Sequence, residues 1–526
     1  GSGDSFTGLG QFRVEDSETI VATAPYAFPK DAPTLVDGNP NVGPVDLNLT
    51  TPLGLQTWRD EAFSLIPGLI EFEYRSFSIP VVEPSDTIPQ RLTSGDINAD
   101  GLPDIVALAR QSDWNGPPEF TAPEAFVFLA QSFGAGVDVN GDGIAPDFAG
   151  QYSKFVVSND EVRQYLWVHA RGGKARLANL DSDDQLEIIL PAQDSGDNGA
   201  RLLIVDVKSD GTLGDEYVIE FDEIDYSVGI GGIATGNFDS GDSGTDIYVL
   251  IGDDDEDERK IVLLASTGTA FSFDETATDI DSPFDEYRVG FLEAGDFDGD
   301  GDDDLIWGQM NRYTSNGARE AFPIVVAEVN ASDGSISSQD AIANFTGGSV
   351  HHIAVFDLDG DGTDDAVVQV SDAVVGDFDT VAPGNTKVLL SGEGDPEADS
   401  NYQGDGLTII LDPLDLQATE HVLTGFDGTG RNIGLGDFNG DGVSDIAIST
   451  EYGKLAVFMG DGEGSLQNYG RIWTLPTTNG QVVWETNLRV YGVAAADVNN
   501  DGLAEVFVAD MGVNPKSITV WLNRSR

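Results

Sequence analysis

Three observations predict an all-β fold, a seven-bladed β-propeller of four-stranded antiparallel blades whose ring is closed by an N-terminal strand. An acidic loop recurs seven times, at intervals of about 60 residues with two longer gaps. Every copy is flanked by short hydrophobic runs of strand type rather than by helical periodicity. The last repeat ends one strand short, while a spare strand-like segment, Leu69–Ile79, precedes the first. A fixed period made of strands signals a radial or stacked repeat, and four antiparallel strands per unit make the blade of a propeller. Placing 69–79 in the last blade leaves no open sheet edge at the seam.

The most regular loop lies in Gly295–Trp307, GDFDGDGDDDLIW. Asp296, Asp298, Asp300 and Asp304 hold positions 1, 3, 5 and 9, with Gly301 at position 6. A tight loop turns its odd positions inward onto one point, and converging oxygens suit a hard divalent cation such as calcium, which takes 6–8 of them. Position 7, here Asp302, offers its backbone carbonyl. The glycine permits a positive-φ turn that a Cβ obstructs. An EF-hand shares the opening triplet but needs a bidentate Glu at position 12 between helices. Position 12 here is Trp307, inside the strand-like run Leu305, Ile306, Trp307.

The same spacing places Asp96, Asn98, Asp100, Leu102 and Asp104 in the first copy. It recurs as Asp357, Asp359, Asp361, Thr363, Asp365, as Asp437, Asn439, Asp441, Val443, Asp445, and as Asp497, Asn499, Asp501, Leu503, Glu505. Two copies are degraded. In Asn179, Asp181, Asp183, Gln185, Glu187 the glycine is replaced by Asp184, and Asn237, Asp239, Asp242, Asp246 carries one extra residue. A further loop of calcium type, Asp138, Asn140, Asp142, Asp147, lies off the repeat register. The competing reading of all these loops is a set of solvated turns, since Asp, Asn and Gly favour turns in any case.

Composition bounds the function. The chain has 526 residues, 26 basic and 92 acidic, for a net charge of −66. That excludes nucleic acid or an anionic membrane as a simple electrostatic partner. A hydrophobic content of 40% with regular strand patterning argues for a folded chain rather than an acidic disordered one. Cysteine is absent, which rules out disulfides, zinc–thiolate sites and cysteine nucleophiles. No apolar run reaches the length of a membrane span. The start Gly1-Ser2-Gly3 reads as an excised or mature fragment.

Taken in order, residues 1–64 read as an extended, proline-rich N-terminal arm, with Pro25, Pro29, Pro33, Pro40, Pro44 and Pro52 disfavouring helix and central strand. The repeat domain occupies 65–526. In each unit a small-residue strand enters the loop, as in 289–297 and 492–498, and a short hydrophobic strand leaves it, as in 104–108, 246–250 and 446–449. A third strand follows, such as 202–207 or 518–522, and then a more polar outer strand, such as 217–221 or 471–475.

The segments GDINADGLPDIV, GDFDGDGDDDLIW, FDLDGDGTDDAVV, GDFNGDGVSDIAI and ADVNNDGLAEVFV resemble the FG-GAP/VCBS calcium-loop repeats of integrin α-subunit propellers and their bacterial relatives. The resemblance covers 65–526. It implies seven blades, about five to eight structural calcium ions bound between the first and second strands, and a ligand face opposite those loops. The flanking Phe-Gly and Gly-Ala-Pro elements are mostly lost, with Gly308 a remnant.

The resulting expectation is a secreted or cell-surface binding or adhesion module for a protein or glycan, belonging to a larger surface protein and not an enzyme. A lectin is one alternative, and a carbohydrate-active enzyme such as a polysaccharide lyase is another. A lectin calls for an aromatic in register in each blade, but only Trp114, Trp473 and Trp484 stand out. A lyase acting on an acidic glycan calls for a basic cluster, and the densest is Arg171–Arg176. Inserts at 110–124 and 371–385 would lie on the expected ligand face. His351 and His352 are neighbours in a strand, so they face opposite sides and read as packing residues rather than joint metal ligands.

Overall fold

The computed structural model describes residues 5–7, 11–14, 20–23, 72–78, 87–111, 124–129, 152–156, 174–181, 183–193, 200–221, 229–238, 244–252, 260–279, 288–310, 321–330, 332–346, 349–358, 362–371, 374–375, 386–390, 407–408, 419–423, 430–450, 454–460, 466–474, 490–497, 502–510 and 517–523. Its regular elements are all strands; no helix occurs among the described residues.

Three strands, β1 (Ser5–Thr7), β2 (Gln11–Val14) and β3 (Ile20–Thr23), form an antiparallel sheet, and β4 (Phe72–Ser78) follows. The first unit is β5 (Thr87–Gly95), β6 (Asp104–Gln111), β7 (Glu124–Phe128) and β8 (Tyr152–Val156). The second is β9 (Arg176–Ala178), β10 (Glu187–Gln193), β11 (Ala200–Val207) and β12 (Leu213–Glu220). The third is β13 (Gly229–Gly236), β14 (Asp246–Gly252), β15 (Lys260–Ser266) and β16 (Phe273–Asp279). The fourth comprises β17 (Arg288–Gly295), β18 (Asp304–Met310) and β19 (Ala321–Ala327), a small hairpin of β20 (Val329–Asn330) and β21 (Ser335–Ile336), and β22 (Asp340–Thr346). The fifth holds β23 (Ser349–Phe356), β24 (Asp365–Ser371), the short β25 (Val374–Val375), β26 (Thr386–Leu390), the short β27 (Leu407–Thr408) and β28 (Thr419–Leu423). The sixth is β29 (Gly430–Gly436), β30 (Asp445–Thr450), β31 (Lys454–Gly460) and β32 (Leu466–Thr474). Last come β33 (Val490–Ala496), β34 (Glu505–Asp510) and β35 (Ser517–Asn523).

The long strands of each unit pair in chain order as an antiparallel meander; in the fifth, β27 lies outside β28 and β25 pairs with β22 of the fourth. The fourth and fifth also join through Met310↔Ser349. β33, β34 and β35 are completed by β4, which pairs antiparallel with β35 from Asn523↔Phe72 to Ser517↔Ser78. The strand expected over 69–79 is thus present, and it lies beside the last strand of the chain. Within the N-terminal arm, 5–7, 11–14 and 20–23 form strands. Phe12, Val14, Ile20 and Val21 supply β-favouring side chains there, and the proline-rich stretch begins only at Pro25.

Burial explains the order of strands within a unit. Second and third strands are near-continuous apolar runs because both faces are covered: Ile247, Tyr248, Val249, Leu250 and Ile251 of β14 are all buried. The fourth strand β12 faces solvent along one edge and has no fully buried residue. Apolar clusters fill the spaces between consecutive units. Ile105 and Phe126 of the first unit pack in one cluster with Ala494, Phe507 and Ile518 of the last. In another, Phe438 and Val457 meet Val506, Trp521 and Phe72. Ser94 Oγ donates to the Ala495 carbonyl at 3.1 Å, tying β5 to β33 across most of the sequence.

Candidate metal centres

The acidic loops are the hairpins between first and second strands, and where described they share one hydrogen-bonding scheme. The position-1 carboxylate accepts the position-6 glycine amide: Gly101 N–H to Asp96, Gly301 to Asp296, Gly362 to Asp357, Gly442 to Asp437 and Gly502 to Asp497, at 2.8–3.1 Å. Position 3 accepts the amide of position 5, as in Asp300 N–H to Asp298 at 3.0 Å and Asp441 N–H to Asn439 at 2.7 Å. Position 5 in turn accepts the amide of position 7: Leu102, Gln185, Asp302 and Val443 donate at 2.9–3.0 Å. These bonds curl the loop so that side chains 1, 3 and 5 share its concave side. The glycine is demanded by conformation rather than crowding. Gly301 has φ +93°, and a Cβ there meets nothing within 4 Å.

Position 9 does something the spacing alone does not reveal. Asp104, Glu187, Asp246, Asp304, Asp365, Asp445 and Glu505 are all buried. One carboxylate oxygen accepts the position-2 amide: Ile97 to Asp104, Leu180 to Glu187, Phe238 to Asp246, Leu358 to Asp365 and Phe438 to Asp445, at 2.6–3.1 Å. The other reaches the end of the third strand, through Ser266 N–H to Asp246 at 2.8 Å, Val329 N–H to Asp304 at 2.9 Å and Gly460 N–H to Asp445 at 2.9 Å. This residue therefore ties loop, second strand and third strand together, besides standing at the loop's inner end.

Among the described residues, two carboxylate clusters are tight enough for one ion. Asp296, Asp298 and Asp300 each bring an oxygen within 4.8 Å of the others, as do Asp181, Asp183 and Glu187. The second belongs to the degraded repeat. Asp184 is not among the residues with positive φ, so that loop turns differently at position 6, and the longer Glu187 reaches the cluster where Asp stands in other units. Two buried oxygens at these loops, Glu187 Oε1 and Asp304 Oδ2, have no hydrogen-bond partner. Burial is the main cause that lifts Glu187 to about 7 and Asp304 to about 8. Neighbouring acids, Asp181 and Asp183 for the one and Asp298 and Asp300 for the other, add to it. Asp445 rises to about 7, again chiefly through burial. Carboxylates crowded together, partly dry and lacking donors fit a hard divalent cation, which prefers charged oxygens and needs several.

Of the expected ligands, the sets beginning at Asp96, Asn179, Asp296 and Asp437 lie wholly within described residues. In the third loop only Asn237 and Asp246 are described, and Asp239 and Asp242 fall outside; likewise Asp359 and Asp361 in the fifth, and Asn499 and Asp501 in the seventh. The extra loop with Asp138, Asn140, Asp142 and Asp147, and also Trp114 and Trp484, lie outside the described residues. Sequence reasoning missed Asp303 and Asp364. Each stands just before position 9 and reaches back to the preceding loop: Asn237 N–H donates to Asp303 at 3.2 Å and Asp296 N–H to Asp364 at 3.1 Å. Backbone bonds join loops in the same sense, Leu186 N–H to Ile97 O, Asp364 N–H to Asp296 O and Ala504 N–H to Asp437 O, at 2.7–3.0 Å. The signal was an acid at position 8 in two consecutive repeats.

Meandering four-stranded units, each opened by an acidic, oxygen-rich hairpin, define a class of β-repeat protein. The FG-GAP-like repeat family matches residues 437–508 and the FG-GAP repeat family matches residues 291–319. Integrin alpha-PS2 of Drosophila melanogaster is 28% identical over 222 residues, which is 38% of this chain and 13% of that protein. The chain thus spans only a small part of the relative it matches. These matches support an integrin-like FG-GAP repeat protein. Similar solved structures include the β-propeller domain of Cps50 (Swd1) from Myceliophteria thermophila, at 10% identity and TM-score 0.41 over 86% of this chain and 99% of that one. Another is a chain of Chaetomium thermophilum Polycomb Repressive Complex 2 bound to GSK126, at 8% identity and TM-score 0.46 over 86% and 98%.

Proposed function

We propose that this chain is a calcium-stabilised, seven-bladed β-propeller serving as an extracellular or cell-surface binding module, with a protein or glycan ligand on the face opposite the acidic loops. The observation that carries the metal reading is the pair of buried, partnerless oxygens Glu187 Oε1 and Asp304 Oδ2. A calcium ion supplies the missing partner and offsets the repulsion among the acids around it. Five to eight such ions act as structural staples in a chain without cysteine. Ring closure is supported by the pairing of β4 with β35 and by the packing of the first unit on the last. The binding role is supported by the integrin relative. Among the described residues, no helix is long and apolar enough to cross a membrane. Binding, rather than catalysis, is proposed.

Metal counting tests this reading, together with thermal unfolding in millimolar calcium and in EGTA. The expected result is several bound ions and a large calcium-dependent rise in melting temperature. No bound metal and an unchanged melting temperature would falsify the calcium reading. Glycan and protein arrays, with a lyase assay alongside, separate a binder from an enzyme: turnover of an acidic glycan would overturn the binding proposal.

A further inference from the structure

The innermost strands segregate charge. Across β5, β9, β13, β17, β23, β29 and β33 the only acidic residue is Glu293, whereas Arg91, Arg176, Arg288, Arg431, His351 and His352 all lie there. This occurs in a chain with 92 acids and 26 basic residues. Five residues before each loop begins stand Arg91, Lys174, Gly232, Phe291, His352, Asn432 and Gly492. Members of this register from four different units converge. The Arg91 guanidinium lies over the Phe291 ring at 5.5 Å, and Phe291 stacks on His352 with ring centres 6.4 Å apart. Lys174 Nζ meets His352 Nε2. One step along the strands, Glu293 receives Arg176 at 2.7 Å and Lys174 at 3.5 Å. Arg176 also donates to the Leu292 carbonyl at 2.6 Å, and His352 Nδ1 accepts the Ile433 amide at 2.8 Å.

The backbone is unusual at the same level. Phe291 has φ +57°, a left-handed conformation that a bulky side chain rarely adopts, and it is the extra residue of a bulge between Gly290 and Leu292. Equivalent bulges fall at Pro89/Arg91, Ile230/Gly232, Val350/His352 and Gly430/Asn432. Bulges re-aim side chains beside binding sites, and strain of this kind gathers at ligand clamps.

We propose that this central layer binds an oxyanion group of a ligand, with Arg91, Lys174 and Arg176 as its cations. Lys174 and Arg176 share Glu293, the one inner-strand carboxylate, Arg91 lies close enough to act on the Lys174 charge, and burial with neighbouring cations keeps His352 neutral. Excess charge in a poorly hydrated site is relieved by an anion. The layer is not sealed, because the side chains of Lys174, Arg176 and Glu293 remain 15, 19 and 12% exposed. The proposal rests on the inner strands lining one channel, and not on the loops binding calcium. Its failure would leave calcium-dependent melting untouched.

The test is calorimetric titration of the full chain, in calcium buffer, with sulfate, glucuronate and succinate, and with glucose as the neutral control. Saturable binding of the anions and none of glucose is expected. The preferred anion distinguishes an inorganic oxyanion from a sugar acid or a simple dicarboxylate. Lys174→Met should weaken binding at least tenfold, and Glu293→Gln, which removes the internal competitor, should tighten it. A residue that only supports the fold would weaken binding in both variants. In the wild-type chain, sulfate or glucuronate should protect Lys174 from reductive methylation, a readout that needs no variant to fold. No saturable binding of any anion, or no protection of Lys174, overturns the proposal.

Discussion

Replacing Asp304 by Asn separates a metal ligand from a mere strap. Asp304 is buried, one oxygen accepts the Val329 amide at 2.9 Å, and the other has no partner. Asparagine keeps the accepting oxygen and places a neutral amide where the partnerless oxygen stands. In the metal-free protein the wild-type carboxyl is raised from 3.8 to about 8, chiefly by burial. At pH 7 the folded chain must therefore hold a proton that the unfolded chain releases, a cost of order 4 kcal/mol at about 1.4 kcal/mol per pH unit. In EGTA, Asp304→Asn should stabilise by up to about that amount. In calcium the same change removes a charged ligand, and losing one site that is saturated a hundredfold above Kd costs about 2.7 kcal/mol. The assay is urea unfolding at pH 7 in both buffers. Opposite signs support the metal reading. Equal destabilisation in both buffers would show that Asp304 serves only the Val329 amide, and the argument from its partnerless oxygen would fail.

Further outcomes follow from the same geometry. In EGTA the stability contributed by Glu187, Asp304 and Asp445, whose folded values rise to about 7, 8 and 7, is present below about pH 4 and is lost as pH rises through 7–8. Melting temperatures in EGTA should accordingly fall between pH 5.5 and 8, and calcium should flatten that fall. Gly301→Ala, at φ +93°, should cost about 1–2 kcal/mol, seen as a lower urea midpoint, whereas a neutral result would mean the loop relaxes. Phe72 meets the fully buried Phe438 edge-on at 5.8 Å; Phe72→Ala should cost about 3–5 kcal/mol, and deleting residues 1–80 should expose the edge of β35 and promote aggregation in light scattering. Asp364→Ala removes the acceptor for the Asp296 amide and should weaken calcium binding at its own loop and at the preceding one, which metal counting on single-loop knockouts would detect.

The strand architecture was legible because its determinants are local. A Gly at position 6 of each regular loop, acids at odd positions and apolar runs such as 305–307 announce hairpins by spacing alone. The strand at 72–78 was legible for a different reason: the last unit lacked one. The strands at 5–7, 11–14 and 20–23 went unread because the prolines downstream coloured the whole segment. Asp303 and Asp364 went unread because their acceptor role lies in the neighbouring repeat, some 66 and 68 residues away. Among 92 acids, nothing in the linear chain marks which ones turn sideways.

What the sequence determined by itself was the period, read from the recurrence of one loop, and the hairpins and loop chemistry, which depend on residues fewer than ten apart. Tertiary structure alone decided which oxygens are dry, which loops clasp one another, and that Arg91, Lys174, Phe291 and His352 meet. Those properties depend on how separate units are brought side by side. Burial sets whether a carboxylate is an ordinary surface acid or, like Asp304, one pushed up to about 8, because the cost of a charge follows from the water it loses, and that is a property of packing rather than of order along the chain.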